Sequence, residues 1–468
     1  MAGNKNINIV IVGSGIAGIA AAHRLVTSGF TNVHILEATE RSGGRVKTGR
    51  FGDKVIEIGA NWIHGPSEEN PVFCLARHYG LLDPEALTPE NQAYDLGGET
   101  PWVTNIFSSS GRKLSEKDIY PALEMFTMLL NESSEFQNQQ GEPYASVGDF
   151  IRSEVRQRCV EKWKDIDSAN RSLQLCVISG MLKRECCVNG SHSLDEVGLG
   201  AFGQYKTFPG LDCTFPGGYE GLIANLMSEL PDDIVRYNRP VQSVFWSNTD
   251  KQSSVIVECE DGERMNADHV IVTVPLGYLK KHHTRLFRPP LPLHKLHSIQ
   301  RLGFGTNNKI FVEFDEPWWD ADCDVIQLVW EDEDTLVDQV SDLKSSWIKK
   351  LFGFTVLKPA ERSSDTSISD TVQLMLNFMF GNACVFLLCP SGMVILSVGG
   401  SQDMSLSTWR RCLRRRSHML SHNLSADSQG ILPSLHGGSC APSGSRTPGQ
   451  TDLTATWQRA AHSRIWRT

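Results

Sequence analysis

Residues 8–45 leave the rest of the chain little freedom. They read Asn-Ile-Val-Ile-Val, then Gly-Ser-Gly-Ile-Ala-Gly, then an Ala-rich helical pattern, then Val-His-Ile-Leu-Glu. The apolar run Ile9 to Val12 suits a buried parallel strand. Gly13, Gly15 and Gly18 follow at G-x-G-x-x-G spacing. The first glycine permits a tight turn, the second lets backbone approach a pyrophosphate, and the third lets the next helix pack on the strand. Phosphates are then expected at the helix N-terminus, facing unpaired amides and the positive end of the dipole. Val33 to Leu36 make a second strand. Glu37 ends it, where a carboxylate accepts hydrogen bonds from a ribose.

A second glycine segment extends this signal: Glu40-Arg41-Ser42-Gly43-Gly44-Arg45. Two glycines between arginines again bring backbone close to an anionic group, and Arg45 can contact a phosphate bidentately. G-x-G-x-x-G, a strand-end Glu and then R-x-G-G-R together resemble the opening of the flavin amine oxidase family. Members of that family bind FAD, not NAD, with this fingerprint.

Residues 55–65 read Val-Ile-Glu-Ile-Gly-Ala-Asn-Trp-Ile-His-Gly. By the same resemblance Gly59, Ala60 and Trp62 line the flavin. Trp-Ile-His-Gly, followed by Asn-Pro-Val-Phe, is similar to animal polyamine oxidases, above all the N-acetylpolyamine type. His64 then corresponds to an active-site histidine that holds the substrate. Glu185, with the following Cys-Cys-Val-Asn-Gly-Ser-His-Ser, resembles the section that contacts a polyamine's distal amine, although a solvated surface acid reads equally well there. A polyamine carries separated ammonium charges, so its site needs carboxylates as well as an apolar tunnel.

Phe215-Pro-Gly-Gly-Tyr-Glu-Gly-Leu222 matches the family's return to the flavin domain. Backbone at Val241 then contacts the adenine. Ser254 to Glu258 and Arg264 to Ala267 flank an Asp261-Gly262 turn and predict a hairpin. Ala267 to Gly277 reads as a buried strand ended by a Pro-containing turn, and it resembles the second crossing beside the cofactor, which includes Thr273. Alternation from Lys309 to Phe314 predicts a strand. Lys309 matches a family lysine that holds a water against the flavin. Its charge would stabilise negative charge forming on oxygen during reoxidation. Between these motifs, Leu114 to Ser134 has helical spacing with Ser115 and Asp118 as caps, and Ser146 to Cys159 predicts another amphipathic helix.

Composition narrows the class without naming a function. The chain has 468 residues, enough for two domains and a sizeable core. Its net charge of -9 argues against a general nucleic-acid binder and suits a cationic substrate. Twelve cysteines show no C-x-x-C pair and no zinc-ligand spacing, so reduced thiols and no metal are expected. No secretory signal is expected, since the first residues lack a charged segment followed by an apolar core.

After residue 360 the character changes. The last lysine is Lys358 and the last glutamate Glu361, while serine, arginine and histidine rise. No match to the family's C-terminal flavin segment occurs there. Read-through into an intron, a shifted frame or a gene-model error would explain this. Val372 to Leu388 is uncharged and mostly apolar, and arginines follow at 410–416, so it meets a loose transmembrane criterion. Gln373, Asn377, Asn382 and Pro390 weigh against insertion, and no membrane is expected. The chain ends Ile465-Trp466-Arg467-Thr468, without a small-basic-leucine peroxisomal tripeptide.

The resemblance implies an α/β fold: a Rossmann-like FAD-binding domain with an inserted α+β substrate domain, its C-terminal part incomplete. The FAD domain is expected at 1–88 and 208–285, the substrate domain at 89–207 and 286–358, and a poorly ordered tail at 359–468. The implied activity is oxidation of N-acetylated spermine and spermidine with oxygen, giving an imine that hydrolyses, and hydrogen peroxide. A monomer is expected, cytoplasmic or, by resemblance, peroxisomal. The alternatives are a spermine oxidase or another flavin amine oxidase, and a catalytically impaired form that lacks the last flavin segment.

Overall fold

The computed structural model describes residues 6–51, 54–93, 105–137, 144–246, 255–305, 307–314, 319–320, 323, 325–336 and 347–357, and the strand backbones at 372–379, 384–389 and 392–397. The chain forms two compact units. One joins Met1–Thr100 to Lys206–Phe304; the other joins Pro101–Tyr205 to Gly305–Arg467. Residues 286–304, expected in the substrate domain, lie in the first unit. There Phe287–Arg288 pairs in parallel with Val241–Phe245, and the helix Leu293–Arg301 packs on Leu276–Leu286.

The first unit is built around a parallel four-stranded sheet, in the order His269–Val272, Ile9–Val12, Val33–Leu36, Val235–Arg236. Ile9–Val12 has a neighbour on each side, and its four side chains are buried, which explains an apolar run without alternation. The helix Ile16–Thr27 covers the sheet through Ile19 and Ala22. His269–Val272 departs from expectation. Among the described residues it is an edge strand of this sheet; His269 is exposed and Val270 to Val272 are half-buried. A second four-stranded sheet contains the expected hairpin, Val255–Cys259 with Arg264–Ala267, turned at Gly262 with φ +87°.

The second unit sets three long helices and a six-stranded sheet. Glu116–Ser134 opens with a capping box in which Ser115 N and Oγ both donate to Asp118 Oδ2 at 2.7 Å. Val147–Lys162 is capped by Ser146, whose Oγ accepts from Asp149 N. Ser168–Asn189, unmarked by any apolar period, is the most buried helix: residues 173–174 and 176–186 lie inside, including Lys183, Arg184 and Glu185. Lys183 is neutralised by Glu333 and also donates to the Lys349 carbonyl.

The sheet order is Asn307–Phe314, Val372–Met379, Gly353–Leu357, Val325–Val329, Ile106–Ser108, Lys113–Leu114. Three strand backbones are described in the tail. Val372–Met379 is an interior strand, antiparallel to both neighbours, so the tail contributes to the fold. The apolar run 372–388 is divided between that strand and Cys384–Cys389, whose partner is Gly392–Ser397. An apolar run does not by itself distinguish an interior strand from a membrane segment. Among the described residues no helix is long and apolar enough to cross a membrane.

Candidate active site

In the first unit three glycine-containing segments converge. Gly13 adopts φ +103°, open to glycine at little cost, and a Cβ there would come 2.9 Å from Thr273 Oγ1. A Cβ on Gly18 would fall on the Gly13 carbonyl oxygen. Helix and strand therefore approach as the third glycine of the motif requires. Gly15 is different: it is the extended N-cap residue, and a Cβ there would meet no atom within 4 Å. The first helical amide to return to the loop is Ile19 N, to Gly15 O. The amides before it have no intrahelical acceptor.

Gly43 N donates to Ser14 O at 2.8 Å, and Gly43 forms a parallel bridge with Gly15. Gly59 N donates to Lys47 O and Ala60 N to Arg45 O, and a Cβ on Gly59 would collide with Arg45 O. The Arg-Ser-Gly-Gly-Arg turn is thus held between the first glycine loop and the Gly59 segment. Its two arginines divide the work. Arg41 donates to the carbonyls of Ser42, Gly44 and Val46 and clamps the turn. Arg45 is exposed.

Glu37 is buried at the end of its strand. Its Oε2 accepts from Ser14 N at 2.8 Å and Ser14 Oγ at 3.1 Å; its Oε1 accepts from Thr39 N at 2.9 Å and Thr39 Oγ1 at 2.8 Å. Burial raises its pKa, but the hydrogen bonds from Ser14 and Thr39 outweigh burial and hold the carboxyl below its ordinary value. Thr273 is likewise committed to the loop. Its Oγ1 donates to Val12 O at 2.8 Å and Gly13 O at 3.2 Å. Val241 is buried and begins its strand next to a register shift.

The Trp62–Ile63 strand pairs with Cys213–Thr214 and so brings Asp212 to His64. His64 Nδ1 lies 2.6 Å from Asp212 Oδ2, and Gly65 N donates to Asp212 Oδ1 at 3.1 Å. Asn70 Nδ2 fixes the same turn through His64 O at 2.8 Å. The Asp212 hydrogen bond raises the His64 pKa against the opposing effect of burial. The Trp62 ring is 6.1 Å from the imidazole, and both residues are exposed. Motif reading missed Asp212, which only proximity in the fold reveals, and it gave Ser14 and Arg41, which lie inside the motifs, no role of their own.

Glu185 and Lys309 belong to the second unit. Glu185 is buried, against the reading of a solvated acid, and its Oε1 accepts from Asn189 Nδ2 at 2.7 Å. Lys309 is half-buried in the strand Asn307–Phe314, where its register partner is Asn377.

The sequence model of one family, described as flavin containing amine oxidoreductase, matches residues 16–353. The chain belongs to that family. As a flavin amine oxidoreductase it is an enzyme whose cofactor is FAD. It is 45% identical over 357 residues to the peroxisomal N(1)-acetyl-spermine/spermidine oxidase of Homo sapiens, covering 75% of this chain and 70% of that one. The Bos taurus protein of that name is 43% identical over 363 residues, covering 76% and 70%. Polyamine oxidase 1 of Oryza sativa is 30% identical over 331 residues, covering 66% and 62%. A solved structure of a redesigned putrescine oxidase superposes with a TM-score of 0.49 at 18% identity, covering 80% of this chain and 76% of that one. The cradle fits the family's cofactor. The open side of Gly15 leaves the room a pyrophosphate needs, and free-ended helix amides border it.

Proposed function

We propose that this amine oxidoreductase oxidises N-acetylated spermine and spermidine, giving a shorter polyamine and an acetamido-aldehyde. The observation that carries this reading is the 45% identity to the human N(1)-acetyl-spermine/spermidine oxidase across 75% of the chain. The chemistry that bound FAD would supply is acceptance of a hydride from the carbon beside the amine nitrogen, with the electrons passed on to oxygen as hydrogen peroxide.

The chain's own residues have four tasks. The amides that open the helix Ile16–Thr27, with Arg45, receive the pyrophosphate. Glu37 receives the ribose, and the backbone at Val241 the adenine. Gly59, Ala60 and Trp62 border the flavin, and Thr273 holds the glycine loop in shape. His64 donates Nδ1–H to Asp212, which leaves Nε2 of the neutral ring as an acceptor for a substrate N–H. That bond orients the amine and draws off its proton, and an amine must be neutral to lose hydride. Glu185 pairs with the distal ammonium, and Lys309 holds the water of the oxygen step. The protein acts as a monomer, and a peroxisomal location follows the names of its relatives.

A second reading has its own support: the family match ends at residue 353, and 115 further residues follow it. On this reading the chain is an impaired form that lacks a flavin wall. One experiment separates the two. The purified chain is examined for flavin absorbance, then mixed anaerobically with N1-acetylspermine. Bleaching of a flavin band establishes the first reading. A colourless protein refutes it for this chain, and a coloured protein that acetylspermine does not bleach refutes the substrate.

A further inference from the structure

We propose that the face formed by the helices Leu276–Leu286 and Leu293–Arg301 docks on an anionic lipid surface. Residues 269–304 contain six Lys or Arg and no Asp or Glu, in a chain whose net charge is -9. The excess is displayed rather than spent. Lys281, Arg288, Lys295 and Arg301 are exposed, and among the described residues no carboxylate pairs with any of them. Arg285 has an acidic partner, Glu260 at 3.2 Å.

The two helices form one fixed platform. Lys280 Nζ donates to Gln300 O at 2.8 Å, and Gln300 Nε2 lies 3.0 Å from His283 Nε2. Leu293–Arg301 buries Ile299 alone and leaves the rest of its surface in solvent or half-covered. A shallow depression lined by His294, His297, Ser298, Arg301 and Leu302 offers imidazole and guanidinium donors to a phosphate headgroup.

Apolar side chains decide among anionic partners. Leu293 is 73% exposed, Leu302 58% and Phe304 46%, and they stand among the cations. Protruding leucines beside lysines suit the headgroup–acyl boundary, where the cations stay at phosphate depth and the apolar groups sink below it. A nucleic acid has no use for the leucines.

The test is co-sedimentation of the full chain with phosphatidylcholine vesicles, with and without phosphatidylserine, at low and high salt. Binding to the anionic vesicles alone, weakened by salt, is expected. Each cation removed costs on the order of fivefold, so Lys281→Glu, Lys295→Glu and Arg301→Glu together cost at least about a hundredfold. Leu293→Ser weakens binding without changing its salt dependence. Lys281→Gln with Lys295→Gln keeps the test decisive if the charge-reversed chain misfolds by circular dichroism. No sedimentation, equal binding to neutral vesicles, or undiminished binding by the folded variants overturns the proposal. So does a chain that ignores vesicles but retards an RNA oligomer.

Discussion

Asp212 and His64, 148 positions apart in sequence, share a 2.6 Å hydrogen bond through Nδ1. The pair fixes which ring nitrogen faces outward. It also makes the imidazole harder to deprotonate, because the carboxylate stabilises its charged form.

Replacement of Asp212 by Asn therefore shifts the pH profile in a known direction. Amine capture needs neutral His64, so kcat/KM rises as pH passes the His64 pKa, which lies above the ordinary value of about 6.5. Asp212→Asn moves that rise to lower pH. On the plateau above it, kcat/KM falls about tenfold, the worth of one charge-assisted hydrogen bond. A pH–rate profile with an unmoved rising limb would refute the pairing's role.

Gly15 and Gly18 predict opposite consequences of the same substitution. Gly18→Ala forces a Cβ onto Gly13 O, which costs about 1–3 kcal/mol and lowers Tm by roughly 5 °C. Gly15→Ala meets nothing within 4 Å and keeps a normal φ of -70°, so the melting curve of the flavin-free chain is unchanged. It nevertheless fills the phosphate cradle, and flavin content drops. Calorimetry with flavin absorbance measures both.

Lys309→Met leaves anaerobic flavin reduction intact and slows reoxidation by roughly a hundredfold, since one positive charge is withdrawn from the oxygen step. Stopped-flow absorbance reads the two half-reactions separately.

Lys183 and Glu333 form a buried pair in which burial dominates both partners, lowering the lysine pKa and raising the carboxyl's. Lys183→Met strands a buried carboxyl and costs about 3–5 kcal/mol. Adding Glu333→Leu recovers most of that loss. Thermal melts of the single and double variants check the pair.

Sequence was most informative where the determinants are local. The buried strand Ile9–Val12, the glycine turn and the Ser115 cap each depend on residues within a few positions of one another. Asp212 escaped because its partner comes from a distant strand pair. Glu185 left two readings open in the sequence, a substrate contact and a solvated acid; tertiary neighbours bury it together with Lys183 and Arg184. His269–Val272 has the composition of a central strand but, among the described residues, one neighbour, a fact of topology that residue pattern does not carry.

Among the described residues the strand Asn307–Phe314 touches its sheet through a single neighbour, Val372–Met379, which meets it over eight register pairs and continues to Gly353–Leu357 over five. The stretch beyond the family match thus acts as a splint. A transcript that stopped near residue 360 would release the strand bearing Lys309 and expose two long unpaired edges at once. Such edges recruit other chains. For this protein, shortening past the apparent end of homology would turn an enzyme question into an aggregation problem.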